Sequence, residues 1–420
     1  MDIREYKSLS ADGRDWTAAF QAAVNCLREN GGGTIFVPAG TYPTGSIRLE
    51  SNMNLHVESG ATLLFHQDED AFPVIPMQDK GRITQVHQAC VYAKGAENVS
   101  ISGKGKLDGQ GSFWWQGFKE KKLRYPRPRL ICFDHCENVS VEDVTLVNSP
   151  SWTVNPWCCR YVTVRGITIH NPWDSPNTDG INPDSCQDVK ITGCTVDVGD
   201  DCITLKAGTE STVEKLPCER IVISDCHLLH GHGGIVLGSE MSGGVRNVIV
   251  SNCVFYETDR GIRLKTRRGR GGAVEGLQAQ NLLMDRVMCP FVFNMYYFCG
   301  PDGKTDFVRS KEPLPLTPQT PVLRNVSISN VSVRGCGACA GYFYGLPESK
   351  VEGIILRDVR IEMDPDSPGG VPAMMDDCPP RKGAGFYLRN ATQVTLNNVQ
   401  VSGHQGDIFD MDESVQLLYS

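Results

Sequence analysis

The feature that most constrains the fold of this chain is a repeated pattern of apolar residues at offsets 0, 2, 5 and 7. Its clearest copy reads Val139, Val141, Val144 and Leu146. Further copies begin at Val162, Val189, Ile221, Val248, Leu277, Val326, Ile354 and Val394. From Val139 to Leu277 the starting positions advance by 23, 27, 32, 27 and 29 residues, a spacing too short for separate domains and typical of one turn of a solenoid.

Each repeat is interpreted as two short strands joined by a corner. Alternation at period two within each half predicts a strand, and the extra residue between the halves predicts a bend that returns the apolar face to the interior. The sequence therefore predicts an all-β fold, a right-handed parallel β-helix, as a single domain over residues 1–420. Cys194, Cys226 and Cys253 share one apolar offset, so we expect a buried ladder there rather than a metal or redox site.

Residues 1–35 lack the repeat and are predicted to form an N-terminal cap. Asp15 can cap a helix that ends at three consecutive glycines. The apolar face of this helix carries Trp16, Phe20, Ala23, Val24 and Leu27. Such a helix would cover the open end of the coil stack, whose first strands would otherwise be an aggregation-prone edge. Residues 65–90, 110–129 and 299–321 depart from the period and predict long loops that shape a cleft.

Charge and composition limit the partners of this chain. The formal net charge of −8 disfavours nucleic acid, because phosphate backbones are bound by concentrated Lys and Arg. No segment approaches the roughly 20 apolar residues of a membrane span, and the first residues show no export signal. The odd count of 17 cysteines cannot fully pair in disulfides. These features predict a cytoplasmic protein without nucleic-acid or membrane partners, or a secreted one if an export signal precedes this sequence; the oligomeric state stays open.

Four short segments in neighbouring repeats hold three carboxylates, one histidine and two cations. They are Asn177-Thr178-Asp179-Gly180, Gly199-Asp200-Asp201-Cys202, Gly231-His232-Gly233-Gly234 and Arg263-Leu264-Lys265-Thr266. A third short strand is predicted after each two-strand unit, and its register is set by aligning Ile181, Ile203, Ile235 and Ile262. In that register Asp179, Asp201 and Gly233 are equivalent, and Asp200 is equivalent to His232.

This register predicts acid and base chemistry. Adjacent coils lie about 4.8 Å apart, so Asp179 and Asp201 should be neighbours with coupled titrations and a water or proton between them. Asp200 should lie beside His232, and it can share a site with Asp201 only if the chain bends, which Gly199 makes easier. One isolated motif would indicate only a turn, but recurrence in one register favours a site.

The same repeats predict a local basic patch for an anionic ligand. Arg263 and Lys265 have matching parity and can face one surface. Lys206, Arg267, Arg268 and Arg270 lie near them in the pattern, although a structural role is favoured for these four. Trp114, Trp115, Trp152 and Trp157 could be sugar platforms, but packing is at least as common a role for such residues.

The four segments resemble the hallmark motifs of the polygalacturonases of glycoside hydrolase family 28, which are Asn-Thr-Asp, Asp-Asp, Gly-His-Gly and Arg-Ile-Lys. The only change is Leu264 for isoleucine. The resemblance covers nearly the whole chain, including Val37-Pro38-Ala39-Gly40-Thr41-Tyr42 and Asn148-Ser149-Pro150-Ser151-Trp152-Thr153. One departure is Val154-Asn155-Pro156, where the family often has His-Pro, and it concerns a wall of the cleft rather than the acids.

The resemblance implies a pectin-lyase-like solenoid that hydrolyses α-1,4-galacturonosyl linkages by single displacement, with inversion and without a metal or other cofactor. The implied substrate is a pectic oligosaccharide or polygalacturonate. By motif, Asp200 looks like the general acid, and Asp179 and Asp201 look like the pair that activates water. His232 would hold the protonation and orientation of Asp200. The coil spacing predicts a tighter cluster than the roughly 6.5–9.5 Å usual between inverting carboxyls, but motif identity favours inversion.

The resemblance also implies substrate-binding roles for Asn177, Arg263 and Lys265, with the two cations binding galacturonate carboxylate and ring oxygens. Tyr297 occupies the place of a family tyrosine at the substrate, with Tyr296 as the alternative. An intracellular member would meet oligosaccharides, which together with the long loops favours exo-action from non-reducing ends. Three alternatives stay open, namely a rhamnogalacturonan-specific exo-galacturonidase, a calcium-dependent pectate lyase, and a non-catalytic β-helix that binds glycans.

Overall fold

The computed structural model describes residues 1–79, 81–300 and 302–420, and it divides into two compact units, Met1–Asp200 and Asp201–Ser420. Each unit consists mainly of parallel strands. No helix in the described ranges is long and apolar enough to cross a membrane. The predicted organisation as a single domain stays a prediction.

The first unit contains most of the helical residues and eighteen short strands. Its helices are α1 (Thr17–Glu29) and α2 (Gly111–Lys119), with 3₁₀ turns at Ile3–Leu9, Ala11–Gly13 and Glu69–Ala71. Its strands are β1 (Gly33–Val37), β2 (Gly40–Thr44), β3 (Ile47–Leu49), β4 (Met53–Val57), β5 (Ala61–Phe65), β6 (Val74–Asp79), β7 (Arg82–His87), β8 (Val91–Lys94), β9 (Glu97–Gly103), β10 (Lys106–Asp108), β11 (Ile131–Asp134), β12 (Glu137–Glu142), β13 (Thr145–Val147), β14 (Val154–Trp157), β15 (Arg160–Arg165), β16 (Thr168–His170), β17 (Gln187–Thr192) and β18 (Thr195–Val198).

The second unit has one short helix, α3 (Asp306–Arg309). Its strands are β19 (Asp201–Leu205), β20 (Cys218–Ser224), β21 (His227–His230), β22 (Gly233–Gly238), β23 (Val245–Ser251), β24 (Val254–Tyr256), β25 (Arg260–Lys265), β26 (Ala273–Asp285), β27 (Cys289–Asn294), β28 (Val322–Cys336), β29 (Cys339–Tyr344), β30 (Val351–Met363), β31 (Ala384–Arg389), β32 (Ala391–Ser402), β33 (Phe409–Met411) and β34 (Leu417–Tyr419).

Strands one coil apart pair in parallel, and three ladders run through each unit. In the first unit they are β1–β4–β9–β12–β15–β17, β2–β5–β10–β13–β16–β18 and β3–β8–β11–β14. In the second unit they are β20–β23–β26–β28–β30–β32–β34, β21–β24–β26 and β19–β22–β25–β27–β29–β31–β33. The predicted right-handed parallel β-helix is confirmed. Only the hairpin of β6 and β7 is antiparallel among the named strands of the described residues.

The repeat register is also confirmed within each unit. Val139 pairs with Val162, and Val162 pairs with Val189. In the second unit Val248 pairs with Leu277, which pairs with Val326. These side chains are buried, so the apolar offsets stack into a continuous core in each unit, and Cys194, Cys226 and Cys253 are buried as expected.

The corner between the two halves of each repeat is one residue in the left-handed conformation. It lies four positions after the start of every copy, with φ between 51° and 65° in each case. These corner residues are Asp143, Gly166, Gly193, Asp225, Asn252, Asn281, Asn330, Asp358 and Asn398. Asn, Asp and Gly are the residues that adopt this conformation most readily. The bend predicted from the extra residue therefore has a local chemical cause.

The N-terminal helix forms with the expected apolar face. Phe20, Val24 and Leu27 of α1 are buried. Trp16 occupies the N-cap position without a side-chain cap hydrogen bond, and Asp15, one residue earlier, accepts from the backbone N–H of Thr17 at 2.9 Å and from its hydroxyl. The predicted capping helix is confirmed.

Two predictions require correction, one about the long inserts and one about the third strand. The inserts contain regular structure, because residues 65–90 hold the β6/β7 hairpin and residues 110–129 hold α2. The third strand expected at Ile181 does not form, and two isolated bridges join Val154 to Ile181 and Trp157 to Asp184. Between the two bridges the N–H groups of Asn182 and Asp184 donate to the carbonyls of Val154 and Pro156 at 2.7 Å and 3.0 Å, but Pro156 has no N–H to donate back to Asn182.

We expect Asn281→Ala to reduce the free energy of unfolding by about 1–2 kcal/mol, because alanine is strained at φ 56°. The variant also loses two ladder hydrogen bonds, since Asn281 donates to Asn252 at 3.1 Å and accepts from Asn330 at 2.7 Å. Asn281→Gly should cost less, because glycine relieves the strain. Urea denaturation measures wild type and both variants, with Gln280→Ala at the neighbouring exposed position as control. Equal losses for the alanine and glycine variants would refute the strain argument.

Candidate active site

In the first unit the Asn-Thr-Asp segment lies beside the start of β14. The backbone N–H of Thr153 donates to the carbonyl of Asp179 at 2.9 Å. The Asp179 carboxylate is buried and accepts from Nδ2 of Asn182 at 3.1 Å. Asn177 has a left-handed backbone, with φ 55°, and its Oδ1 accepts from Nη2 of Arg127 at 2.8 Å. Asp179 and Asn177 are therefore held in fixed orientations.

The chain bends at Gly199 and Asp200, between β18 and β19, as predicted. A Cβ atom at Gly199 would lie 2.6 Å from the carbonyl oxygen of Pro172 and 2.7 Å from that of Ser175. Only glycine fits this close approach of two backbone segments. Asp200 is partly exposed, whereas Asp201, the first residue of β19, is buried.

In the second unit Asp201 is bound by two cations. Its Oδ1 accepts from Nη1 of Arg263 at 3.1 Å, and its Oδ2 accepts from Nζ of Lys265 at 2.6 Å. All three side chains are at least nine-tenths buried. Burial alone would raise the pKa of Asp201, but the charges of Lys265, Arg263 and Lys206 hold this pKa well below its ordinary value. Asp201 is therefore an ionised carboxylate at neutral pH.

Gly233 makes room for this ion cluster. It pairs with Asp201 in the ladder, as the alignment predicted. A Cβ atom at Gly233 would lie 3.2 Å from Oδ1 of Asp201 and 3.4 Å from Cδ of Arg263. The nearest atom to such a Cβ would be Cγ2 of Val236 at 2.6 Å, so a side chain at position 233 would crowd Val236 and press on the Asp201–Arg263 pair.

Tyr297 lies beside the two cations and Tyr296 does not. The centre of the Tyr297 ring is 5.1 Å from Nζ of Lys265 and 5.8 Å from Cζ of Arg263. Tyr296 is buried and packs against Arg268 instead. The structure therefore brings Tyr297, Arg263, Lys265 and Asp201 together, and it gives Tyr296 a packing role.

His232 contacts a carboxylate that the sequence analysis did not identify. Its Nδ1 lies 3.0 Å from Oδ2 of Asp259, and the N–H of Asp259 donates to the carbonyl of Gly231 at 2.9 Å. Burial would raise the pKa of Asp259, but the hydrogen bond from His232 and the charge of Arg260 lower it. The signal was present in the alignment, because Asp259 precedes Ile262 by three residues, as His232 precedes Ile235.

The remaining basic residues of the predicted patch have structural partners. Lys206 binds Glu240 at 3.0 Å, Arg267 and Arg270 both bind Glu210, and Arg268 binds Glu348 at 2.6 Å. Arg267, Arg268 and Arg270 are buried. These ion pairs agree with the structural role favoured for Lys206, Arg267, Arg268 and Arg270, and their contact with a ligand stays a prediction.

The four tryptophans considered as sugar platforms all contact other parts of the protein. Trp114 is fully buried against Phe72. Trp115 donates from Nε1 to the carbonyl of Ser149 at 2.9 Å, and Trp157 packs against His135. Trp152 is partly buried and lies under the guanidinium of Arg129.

The sequence model of glycosyl hydrolases family 28 matches residues 31–367. The chain belongs to this family. It is therefore a glycoside hydrolase, and the resemblance stated from its motifs is confirmed. The motif segments described above all fall within the matched range.

Named relatives of this glycoside hydrolase are polygalacturonases. It is 35% identical over 360 residues to a probable polygalacturonase of Vitis vinifera, and this alignment covers 83% of this chain and 71% of the relative. It is 30% identical over 307 residues to an endo-polygalacturonase of Pectobacterium carotovorum subsp. carotovorum, covering 69% and 74%. The crystal structure of a hyperthermoactive exopolygalacturonase from Thermotoga maritima superposes with a TM-score of 0.79 at 29% identity, covering 96% and 91%.

We expect Asp201→Asn to destabilise the enzyme by about 3 kcal/mol at pH 7, because Arg263 and Lys265 would lose their buried anion. The folded-state pKa of Asp201 lies below the ordinary value of 3.8, so its contribution is present above that value and is lost as the pH falls. The difference between wild type and variant should therefore shrink by about 1 kcal/mol between pH 5 and pH 3 in urea denaturation. A constant difference, or an equal effect of Asp285→Asn at an exposed position of β26, would contradict this account.

We expect Asp259→Asn to lower kcat by about 10-fold with little change in KM, because His232 loses the charged acceptor that orients it. The alkaline limb of the kcat/KM profile should move to lower pH, since the imidazolium loses a negative partner. Asp259→Glu should restore part of the activity. An unchanged pH profile in Asp259→Asn would show that Asp259 does not act through His232.

Proposed function

We propose that this glycoside hydrolase cleaves α-1,4-galacturonosyl linkages of pectic oligosaccharides or polygalacturonate with inversion, and that it acts from the non-reducing end. Asp200 is the general acid, Asp179 and Asp201 activate the water, and His232 supports Asp200. Asn177, Arg263, Lys265 and Tyr297 bind the substrate. The family match and the polygalacturonase relatives support this assignment.

The observation that carries the proposal is the buried ion cluster of Asp201, Arg263 and Lys265. A general base must be ionised before it can take a proton, and the two cations keep Asp201 ionised in a buried position. The same cations, with the ring of Tyr297 beside them, offer positive charge to the carboxylate of a galacturonate. This one cluster can thus supply both the general base and the positive charge that selects an anionic substrate.

The hydrogen bonds to Asp201 support hydrolysis without a metal. Both of its oxygens already accept hydrogen bonds from cationic nitrogens, which would oppose a divalent ion at the same carboxylate. Calcium-dependent lyase chemistry would need carboxylates that are available to the ion. Activity in the presence of a chelator tests this point directly.

The two inserts of the first unit support exo-action. They pack together, because the N–H of His87 donates to the carbonyl of Pro126 at 3.2 Å and Arg129 donates to the carbonyl of Gln78 at 3.2 Å. From the second insert, Arg127 reaches Asn177. A wall at this place would stop a sugar chain on one side of the site, which exo-action requires. The Thermotoga maritima relative is named an exopolygalacturonase and the Pectobacterium carotovorum relative an endo-polygalacturonase, so names alone leave the mode open.

We expect trigalacturonate and polygalacturonate, incubated with the enzyme and a chelator, to release galacturonate monomer as the only early product. Chromatography over time identifies the products, and proton NMR of the first turnover should show the β-anomer because the α-linkage is inverted. Asp200→Asn should lower kcat by about 10²–10⁴-fold while it still folds, as thermal unfolding would verify.

Other product patterns would replace the proposal with a specific alternative. Mixed oligomers would indicate endo-action, and an unsaturated product that requires calcium would indicate a lyase. Turnover of rhamnogalacturonan fragments alone would move the substrate to that polymer. Binding of oligogalacturonate without any turnover would indicate a glycan-binding protein.

A further inference from the structure

Arg127 is a partly buried cation that the family motifs do not include. Its Nη1 donates to the carbonyls of Pro150 at 3.0 Å and Pro176 at 2.7 Å, and its Nη2 donates to Oδ1 of Asn177 at 2.8 Å. Its guanidinium also lies 3.9 Å from the centre of the Phe118 ring. One side chain therefore joins the insert 110–129 to two segments of the candidate site.

The chemistry of the two side chains fixes the orientation of the Asn177 amide. Arginine has five N–H donors and no acceptor, so Asn177 can face Arg127 only with its amide oxygen. The Nδ2 group, with two hydrogens, then points to the other side of the amide. Asn177 thus offers donors, and not an acceptor, to a group that approaches from that side.

The setting of Arg127 makes this orientation strong. Burial lowers the pKa of Arg127 to about 10, while the charges of Asp179, Asp79 and Asp200 oppose the decrease. The group is still protonated at neutral pH, and a cation with reduced hydration makes stronger hydrogen bonds. The left-handed backbone of Asn177 further limits the positions that its side chain can take.

We propose that Arg127 is a positioning residue that holds the Asn177 amide with its Nδ2 hydrogens toward the substrate, where they donate to a carboxylate or hydroxyl oxygen of galacturonate. This inference rests on the proposed function for the identity of the sugar. It links the insert to sugar recognition, because the insert places Arg127 and Arg127 orients Asn177. A neutral or shorter side chain at position 127 would leave the amide free to rotate.

The test is a double-mutant cycle on trigalacturonate with Arg127→Met and Asn177→Ala. Arg127→Met should raise KM by about 10-fold and change kcat less, as expected for a lost hydrogen bond to a charged group. In the Asn177→Ala background the same substitution should change KM by less than about twofold, because the residue it acts through is gone. Arg127→Lys should recover part of the affinity.

Arg124→Met is the matched control, since Arg124 lies in the same insert and pairs at the surface with Asp70. Its KM should stay within about twofold of wild type, as for other exposed ion pairs. A purely structural role of Arg127 would lower the unfolding temperature and the active fraction without a selective rise in KM. Equal effects of Arg127→Met with and without Asn177 would overturn the proposal.

A direct probe keeps this inference separate from the proposed function. In protein labelled with ¹⁵N-asparagine, the side-chain amide signal of Asn177 is the one absent from Asn177→Ala. Arg127→Met should shift this signal, and Arg124→Met should leave it in place. If wild type fails to cleave trigalacturonate but the signal responds, the proposed function is wrong and the positioning stands; an unshifted signal refutes the positioning itself.

Discussion

The left-handed corner in every repeat is the constraint on which the rest of each unit depends. A strand presents alternate residues to opposite faces, so two strands that follow each other directly could not both keep apolar residues inside after a turn. One residue with positive φ resolves this, because it changes the chain direction and restores the inward parity at the same time. The amide ladder from Asn252 through Asn281 to Asn330 adds hydrogen bonds along these corners. Loss of this parity would move a whole strand's apolar set to the surface.

The buried ion cluster at Asp201 is unusual for a protein interior, where charged side chains are rare. Removing one carboxylate and two cations from water is costly, and their mutual attraction offsets this only when geometry and hydrogen bonding are good. Apolar side chains of similar volume would often be as stable. Gly233 leaves the space beside this ion pair free of a side chain. Such a cluster is better explained by chemistry than by stability.

Sequence reasoning succeeded where the determinants are local. Apolar period, corner and motif register follow from residues within one repeat, so the β-helix and the pairing of Asp201 with Gly233 could be predicted. Pro156 in β14 also indicated that pairing with the segment at Ile181 would be interrupted, because proline has no N–H to donate. Asp259 could also have been found, since it occupies the register position of His232 one repeat later.

Other parts of the site depend on contacts between distant segments and could not be predicted. Arg127 and Asn177 are fifty residues apart, and nothing in the local pattern of the insert indicates their contact. The partners of the arginines after Lys265 are equally remote, since Glu348 binds Arg268 from eighty residues away. A charge run therefore shows that cations are present, and only the fold shows which of them are already neutralised.

That distinction bears on how an acidic protein would select an anionic sugar. Because Glu210, Glu240 and Glu348 bind the neighbouring cations, Arg263 and Lys265 are the charges that the proposed function assigns to the substrate. Both already bind Asp201, so a galacturonate carboxylate that joins them would bring a second negative charge near that residue. The added charge would raise the pKa of Asp201 from its depressed value toward that of an effective base. A neutral methyl ester would lack this effect, so on the proposed function the charge that selects the substrate also strengthens the base that attacks it.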